Sequence, residues 1–370
     1  MANVEDRLRD ELRRLAEPGS PDGVVEIVFR RAARRRARKR LATVALALAV
    51  AVGTVAGTYL LVRVFPRSGH GTPAGGLSPA PIVPHANGLI AYANGSVIHT
   101  ITPEGSAGAA IPAPGDAWLL AWSPDGMQLA VTIFPPAEGD RTIWVMDADG
   151  SDPHRVASAD NVSQASWSPD GSTLAYAAKN GKTSAIHIVR RDGSDDRTVY
   201  STEAPGARAV FSAAFSPDGT QILFDQGTDS GFDVFVMNAD GSDVRRLTHT
   251  GHDYDPHWSP DGTRIAFTRQ GVGPQSDIYV MDADGSHVRQ LTDGGAGATN
   301  LYPEWSPDGT KIAYVSGRNG GPGGLVVMNP DGTDPVILVK NGVLGISWQP
   351  VPVSTSPTPS SRPGAGSGTG

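Results

Sequence analysis

The sequence predicts an all-β fold, a six-bladed β-propeller of four-stranded antiparallel blades, preceded by a single transmembrane helix. Three observations predict it. One turn-forming string recurs at a near-constant spacing, a second recurs between its copies, and a long uncharged apolar run follows a cluster of arginines. The 370 residues include 45 Gly and 30 Pro, a turn-rich composition that suits many short strands and argues against helical bundles.

Charge divides the chain. Residues 1–40 carry 12 Lys/Arg against 7 Asp/Glu, whereas the remainder carries 19 against 31. A basic arm and an acidic body point to two environments. The acidic body argues against nucleic acid as a partner, because neutralising phosphates requires clustered Lys and Arg. Cysteine is absent, which removes disulfides and thiolate metal sites from the account.

Residues 1–40 read as a cytoplasmic basic arm. Leu8, Leu12 and Leu15 stand at helical spacing within Glu5 to Leu15. The arm is read as a solvated tail, with a contact site for a cytoplasmic partner as the alternative. Residues 41–64 are the expected transmembrane helix. Leu41 to Val62 holds 22 residues without a charge, and as a helix would be about 33 Å long, enough to cross the hydrocarbon core. Eight cationic residues lie in Arg30 to Arg40, and only Arg63 and Arg67 follow closely. The positive-inside rule then places the N-terminus in the cytoplasm and the body outside the cell membrane. A cleaved signal peptide fits less well, because 40 residues precede the run and no small-x-small site ends it. Residues 65–86 form a Pro/Gly linker, 87–350 the propeller, and 351–370 a Ser/Thr/Pro/Gly tail.

Within 87–350, WSPDG or a close variant starts at Trp122, Trp167, Phe215, Trp258 and Trp305, and a degenerate copy has Trp348. The aromatic residues are 45, 48, 43, 47 and 43 residues apart, the period of a propeller blade. Each unit has an apolar strand after this turn: 89–92, 129–132, 174–177, 222–225, 265–268 and 312–315. A second turn of the MDADGS type follows, with Gly105, Gly150, Gly193, Gly241, Gly285 and Gly332. Pro presets φ in the first turn, and Asp-Gly suits the left-handed position in both. Each unit is therefore read as strand a before SPDG, b after it, c before the second turn and d after it. The first unit begins at b, Gly88 to Tyr92, and the chain ends on a lone a strand, Gly345 to Pro350. That last strand is expected to complete the first blade, leaving no open edge.

The WSPDG copies, IAF at 265–267, DIYVMDADGS at 277–286 and RQLT at Arg289 to Thr292 resemble the TolB-type, WD-like propeller repeat, over roughly residues 87–350. The resemblance implies a bacterial periplasmic or secreted scaffold, and no cofactor is expected. Similar propellers also serve as substrate-filtering domains of prolyl-oligopeptidase-like enzymes. The family's namesake has a separate α/β domain, for which this chain has no room, and lacks a span such as Leu41 to Val62.

Strand parity puts both turn types at one end of the blades and the irregular b–c and d–a loops at the other, where binding is expected. The richest stretch there is His249 to Trp258. His252, Asp253, Tyr254 and His257, with Tyr302, Arg269 and Arg318, are the candidate ligand-binding residues. His249, His252, Asp253 and His257 are suitable in type for a divalent metal, but the spacing alone does not make a site, and a capping Asp beside a packed Tyr is the alternative. Asp140, Arg141, Lys179, Lys182, Gln275 and Asn319 are further loop residues within reach of a partner. The MDADGS turns place glycine too early for a calcium loop, and NGKT at Asn180 to Thr183 lacks the first glycine of a phosphate loop. No G-x-S-x-G or H-E-x-x-H string occurs.

The leading expectation is a membrane-anchored, non-enzymatic receptor or scaffold for an extracytoplasmic protein, peptide or cell-wall ligand. The alternatives are a transmembrane signalling or sigma-factor-regulating protein, and a propeller-based metal-dependent lyase or hydrolase.

Overall fold

Strand pairing joins the two ends of the repeat region. In the computed structural model, which describes residues 85–353 apart from 136–138, 204–208, 272, 274 and 320–322, His85–Ile101 pairs with Ile346–Pro352. The pairing is antiparallel, with Ile90 opposite Trp348 and Tyr92 opposite Ile346. The basic arm, the Leu41 to Val62 span, nearly all of the linker and nearly all of the tail lie outside the described residues. Among the described residues no helix is long and apolar enough to cross a membrane.

All described regular structure is β. The strands join into four sheets of six, five, four and eight strands. In a typical unit, a is Asp253–Trp258, b is Arg264–Gln270 and c is Ser276–Asp282, each antiparallel to the next. Here the d strand shrinks to Arg289–Gln290, and in the preceding unit to Arg245–Arg246. A side chain replaces the missing ladder bond. Thr292 Oγ1 accepts from Ile278 N–H at 2.9 Å and donates to Asp277 Oδ1 at 2.9 Å. Thr248 accepts likewise from Val234 N–H at 3.0 Å.

The repeated turns owe their conservation within the chain to hydrogen bonds that the sequence motif encodes. Gly126 N–H donates to the Ser123 carbonyl at 2.8 Å, and the same closure recurs at Gly171, Gly219, Gly262 and Gly309. These glycines have φ between +67° and +74°, a region that side chains resist. Ser123 Oγ donates to Asp125 Oδ1 at 2.6 Å and accepts from Gln128 N–H at 2.9 Å, tying the turn to strand b. Ser168, Ser216, Ser259 and Ser306 donate to Asp170, Asp218, Asp261 and Asp308 in the same way. Burial alone would raise these four carboxyls, but the hydroxyl and amide bonds outweigh it and hold them below the usual range.

Turns of successive units touch in order. Gly171 lies beside Pro124, Gly219 beside Pro169, Gly262 beside Pro217 and Gly309 beside Pro260, while Gly126 lies against Pro350 of the last strand. The second turns pack on the neighbouring d strand: Gly150 on Ile111, Gly193 on Val156, Gly241 on Val199, Gly285 on Leu247 and Gly332 on Leu291. Gly105 meets Leu338, again linking the first unit to the last.

The core lies between neighbouring units. One cluster combines Val145 and Val156 with Trp167, Leu174 and Val189 of the next unit. Another joins Ile90 and Ile101 to Leu325, Val327, Val343, Ile346 and Trp348. The inner a strands also contact one another in sequence, from the second half of Ala107–Trp122 through to Ile346–Pro352 and back.

Glu304 clamps the closing strand. Its carboxylate accepts from Trp348 N–H at 2.7 Å and from Ser347 Oγ at 3.3 Å, and Ser347 Oγ accepts from Trp122 N–H at 3.1 Å. Burial pushes the Glu304 carboxyl up to about 8, against the pull of the Trp348 and Ser347 bonds. A raised carboxyl binds more protons when folded, so its stabilisation is full below the ordinary value near 4.5 and is lost as pH rises through about 8. Glu304→Gln, which keeps an acceptor but cannot ionise, is expected to raise Tm at about pH 9 and flatten the pH dependence of thermal unfolding. Glu304→Ala should destabilise by about 1–3 kcal/mol near pH 5, because it leaves the Trp348 amide without a partner. Removing Val343 to Pro350 should lower Tm for the whole unfolding transition, not for one separable unit.

Candidate functional site

Two positions on the a strands set the chemistry around the inner face. The residue just before the aromatic accepts the backbone N–H of the next unit's aromatic wherever it can: Ser166 from Phe215 at 3.1 Å, His257 from Trp305 at 3.5 Å and Glu304 from Trp348. Burial brings the His257 imidazole down to about 4, so the ring is neutral at neutral pH and Nδ1 accepts in the tautomer that carries its proton on Nε2. The residue three before the aromatic sits in a bulge. Ser212, Asp255 and Tyr302 have φ of 43°, 50° and 54°, and the ladder register slips at each. A non-glycine side chain held in this conformation carries strain, a feature that clusters at functional sites.

Two of these bulges, at Ser212 and Asp255, meet Asp225. Asp225 lies on strand b, opposite Phe211, and is 1% exposed. The Ser212 hydroxyl and the Asp255 N–H approach its carboxylate. Its Oδ1 has no hydrogen-bond partner. Burial raises the carboxyl of Asp225; burial and then the charge of Asp225 raise that of Asp255 well above the usual range. Tyr302 and Tyr254 lie in the same negative field, which adds to burial in raising both phenols. Asp255, Ser212, Tyr254 and Tyr302 all touch solvent. Together they form a recess of two carboxyls, a hydroxyl and two phenols. The Phe232 ring lies tilted beside Tyr254 at 5.3 Å, and Phe211 beside Phe232 at 5.3 Å, which packs the Tyr254 side.

The candidates read from sequence separate into three groups. Tyr254, Tyr302 and, as a neighbour in the strand, Asp253 lie at this recess or its edge. Asp253 is fully buried and its two oxygens are taken by Arg269 Nε at 2.6 Å and Nη2 at 3.1 Å, with Thr250 Oγ1 at 2.8 Å. Arg269 lies 4.7 Å from the Tyr279 ring centre. This pair fastens the start of strand a to the end of strand b, where Asp253 is opposite Arg269. His249 and His252 are exposed, and His257 is used in the contact to Trp305. No three His, Asp or Glu side chains converge as a metal set among the described residues. Arg318 donates to the carbonyls of Gly294 and Ala296, and Asn319 N–H to that of Gly297. Arg141 donates to Asn161 and lies over Phe134, while Asp140 accepts from Ser158. Lys182 and Gln275 remain in loops and Lys179 lies near the end of strand b, opposite Ser184.

Asp225 and Asp255 were not among the candidates. Asp225 closes an otherwise apolar string, ILFD, and the signal was present: the other five units carry Tyr92, Thr132, Ala177, Thr268 and Val315 at that position. Asp255 lies within His249 to Trp258, where the histidines around it are the more conspicuous signal.

A ring-like array of small antiparallel sheets with packed inner strands defines a β-propeller. The repeat region matches the TolB beta propeller domain over residues 109–253 and 204–343, more than half of the chain, and the chain belongs to that family. TolB from Acinetobacter baumannii is similar in fold, with TM-score 0.60 and 20% identity over 71% of this chain, which spans 66% of that one, just under two thirds. A TolB structure from Agrobacterium tumefaciens gives TM-score 0.54 and 24% identity over 72% of this chain and 99% of its own. A chain of a nidogen/laminin complex gives TM-score 0.56 and 12% identity over 70% and 98%. At these identities the likeness is one of fold.

Asp253→Ala is expected to destabilise by about 3–5 kcal/mol, since it leaves Arg269 without its buried partner. His252→Ala, at an exposed position, should stay within about 0.5 kcal/mol of the parent in denaturant unfolding.

Proposed function

We propose that this chain is a single-pass membrane protein whose body is a six-bladed TolB-like propeller outside the cytoplasm, and that it is a receptor or scaffold for an extracytoplasmic protein or peptide. The observation that carries the binding reading is the recess of Asp225, Asp255, Tyr254 and Tyr302, where the buried Oδ1 of Asp225 has no hydrogen-bond partner and the other three side chains reach solvent. Membership of the TolB propeller family supports a protein partner in general. The six second-turn contacts, closing from Gly105 to Leu338, support the blade count. The uncharged Leu41 to Val62 run and the arginines before it support the anchor and its orientation. A binding role is favoured over metal-dependent catalysis because Asp253 and His257 are engaged in structural contacts.

The test of function is capture of envelope proteins from detergent extract by the full chain, beside a Tyr254→Ala/Tyr302→Ala variant of matched Tm. Specific enrichment that disappears in the variant is expected; enrichment equal in both would place the partner elsewhere, and none in either would remove the receptor reading. The topology has its own check. Protease added outside spheroplasts should degrade an epitope at Gly370 and spare one at Met1, and the reverse pattern would invert the orientation.

A further inference from the structure

The Asp225 carboxylate is an expensive thing to bury for no purpose. Its 1% exposure and partnerless Oδ1 leave a strong acceptor without a donor, at a position where the other units place neutral residues. Asp255 adds a second acceptor from a strained backbone conformation, φ 50°, on the neighbouring inner strand. Neither belongs to an ion pair among the described residues, where Asp233 and Asp253 nearby are held by Arg246 and Arg269. The Tyr302 phenol feels the charge of Asp255, then of Arg141 and Asp225, while Tyr254 feels Asp225 and Asp255 and, more weakly, Asp253 and Asp233.

We propose that the recess between Asp225 and Asp255 takes one organic cation, the ammonium of a lysine or the guanidinium of an arginine on the bound protein or peptide, with Tyr254 and Tyr302 beside it. This rests on the partner-binding reading above and states what that partner must present. The donors of such a group satisfy Oδ1 of Asp225 and the free acceptors of Asp255, and phenol rings stabilise a cation by their faces. Calcium, which takes 6–8 oxygens, is the competing occupant that the titration separates from an organic cation. Charge balance agrees. Burial raises both carboxyls, and the charge of Asp225 raises that of Asp255 further, so a bound cation competes with protons for them. Affinity should therefore rise with pH across the range in which those protons are lost.

The experiment is calorimetric titration of the full chain with acetyl-Gly-Lys-Gly-amide, its arginine and norleucine counterparts, and calcium chloride. The lysine and arginine peptides are expected to bind at least roughly tenfold more tightly than the norleucine peptide, and more tightly at about pH 8 than at about pH 6. Asp225→Thr, which installs the residue found at positions 132 and 268, should abolish the preference while Tm is kept or raised. If that variant fails to fold, Asp255→Asn serves, with the same loss expected. Equal binding of the norleucine peptide, a preference that survives in the variant, binding of calcium alone, or no peptide binding up to about 10 mM each overturns the assignment. Envelope proteins captured equally by parent and Asp225→Thr would keep the receptor reading and remove the cation site. Peptide preference without any captured protein would do the opposite.

Discussion

The antiparallel pairing of Ile346–Pro352 with His85–Ile101 is the constraint on which the other contacts depend. Each unit packs its apolar face only against its neighbours, so an open array would leave two such faces in water. Bringing the last a strand beside the first b strand covers both, and the cluster of Ile90, Leu325, Ile346 and Trp348 is the buried product. With no disulfide available, this closure is held by noncovalent contacts: the ladder, the Glu304 clamp, Gln349 Oε1 accepting from Leu89 N–H, and its Nε2 donating to Gly126 O. Close approach limits what these positions tolerate. A Cβ on Gly345 would strike the Trp118 carbonyl, and one on Gly88 would strike Gln349.

Scaffold and site use the same repeat at different positions. Where the Ser-Pro-Asp-Gly motif repeats without change, every polar atom closes a turn, as Ser123 and Asp125 do. Individuality appears on the inner strands and at the Asp225 position of strand b. The position before the aromatic ranges from Ala121 to His257 and Glu304, and the bulge position from Leu119 and Gly345 to Asp255 and Tyr302. The backbone there is already paired with strand b and with the next unit, so a side chain can change without altering the ladder. A recess of carboxyls and phenols can thus be built at the interior of a stable ring, with its cost borne by the surrounding packing.

Asp253 and Asp255 show how closely the two uses can lie. Two residues apart on one strand, they look alike in sequence. Asp253 faces the bidentate fork of Arg269 and completes a corner, as Asp233 does with Arg246, Thr248 and Gly251 N–H. Asp255, turned by its positive φ, faces another carboxyl instead. The first arrangement lowers the energy of the fold; the second raises it and leaves acceptors for something else.

The local features were legible in the linear chain because they depend on neighbours in sequence. Pro, Asp and Gly set the turns, alternating apolar residues set the strands, and a regular spacing of aromatics set the repeat, and the residues at 122, 167, 215, 258, 305 and 348 needed no coordinates to be found. The closing strand was legible too, since a lone a strand must find a partner. What only the tertiary structure decided was the fate of each polar side chain: that His257 accepts from Trp305, that Glu304 clamps Trp348, and that Asp225 meets Asp255. Those encounters join residues 30 to 48 positions apart, on strands of different units. Repeat spacing specifies that such strands are neighbours, but bulge geometry and side-chain direction, which the packed ring imposes, select which atoms meet.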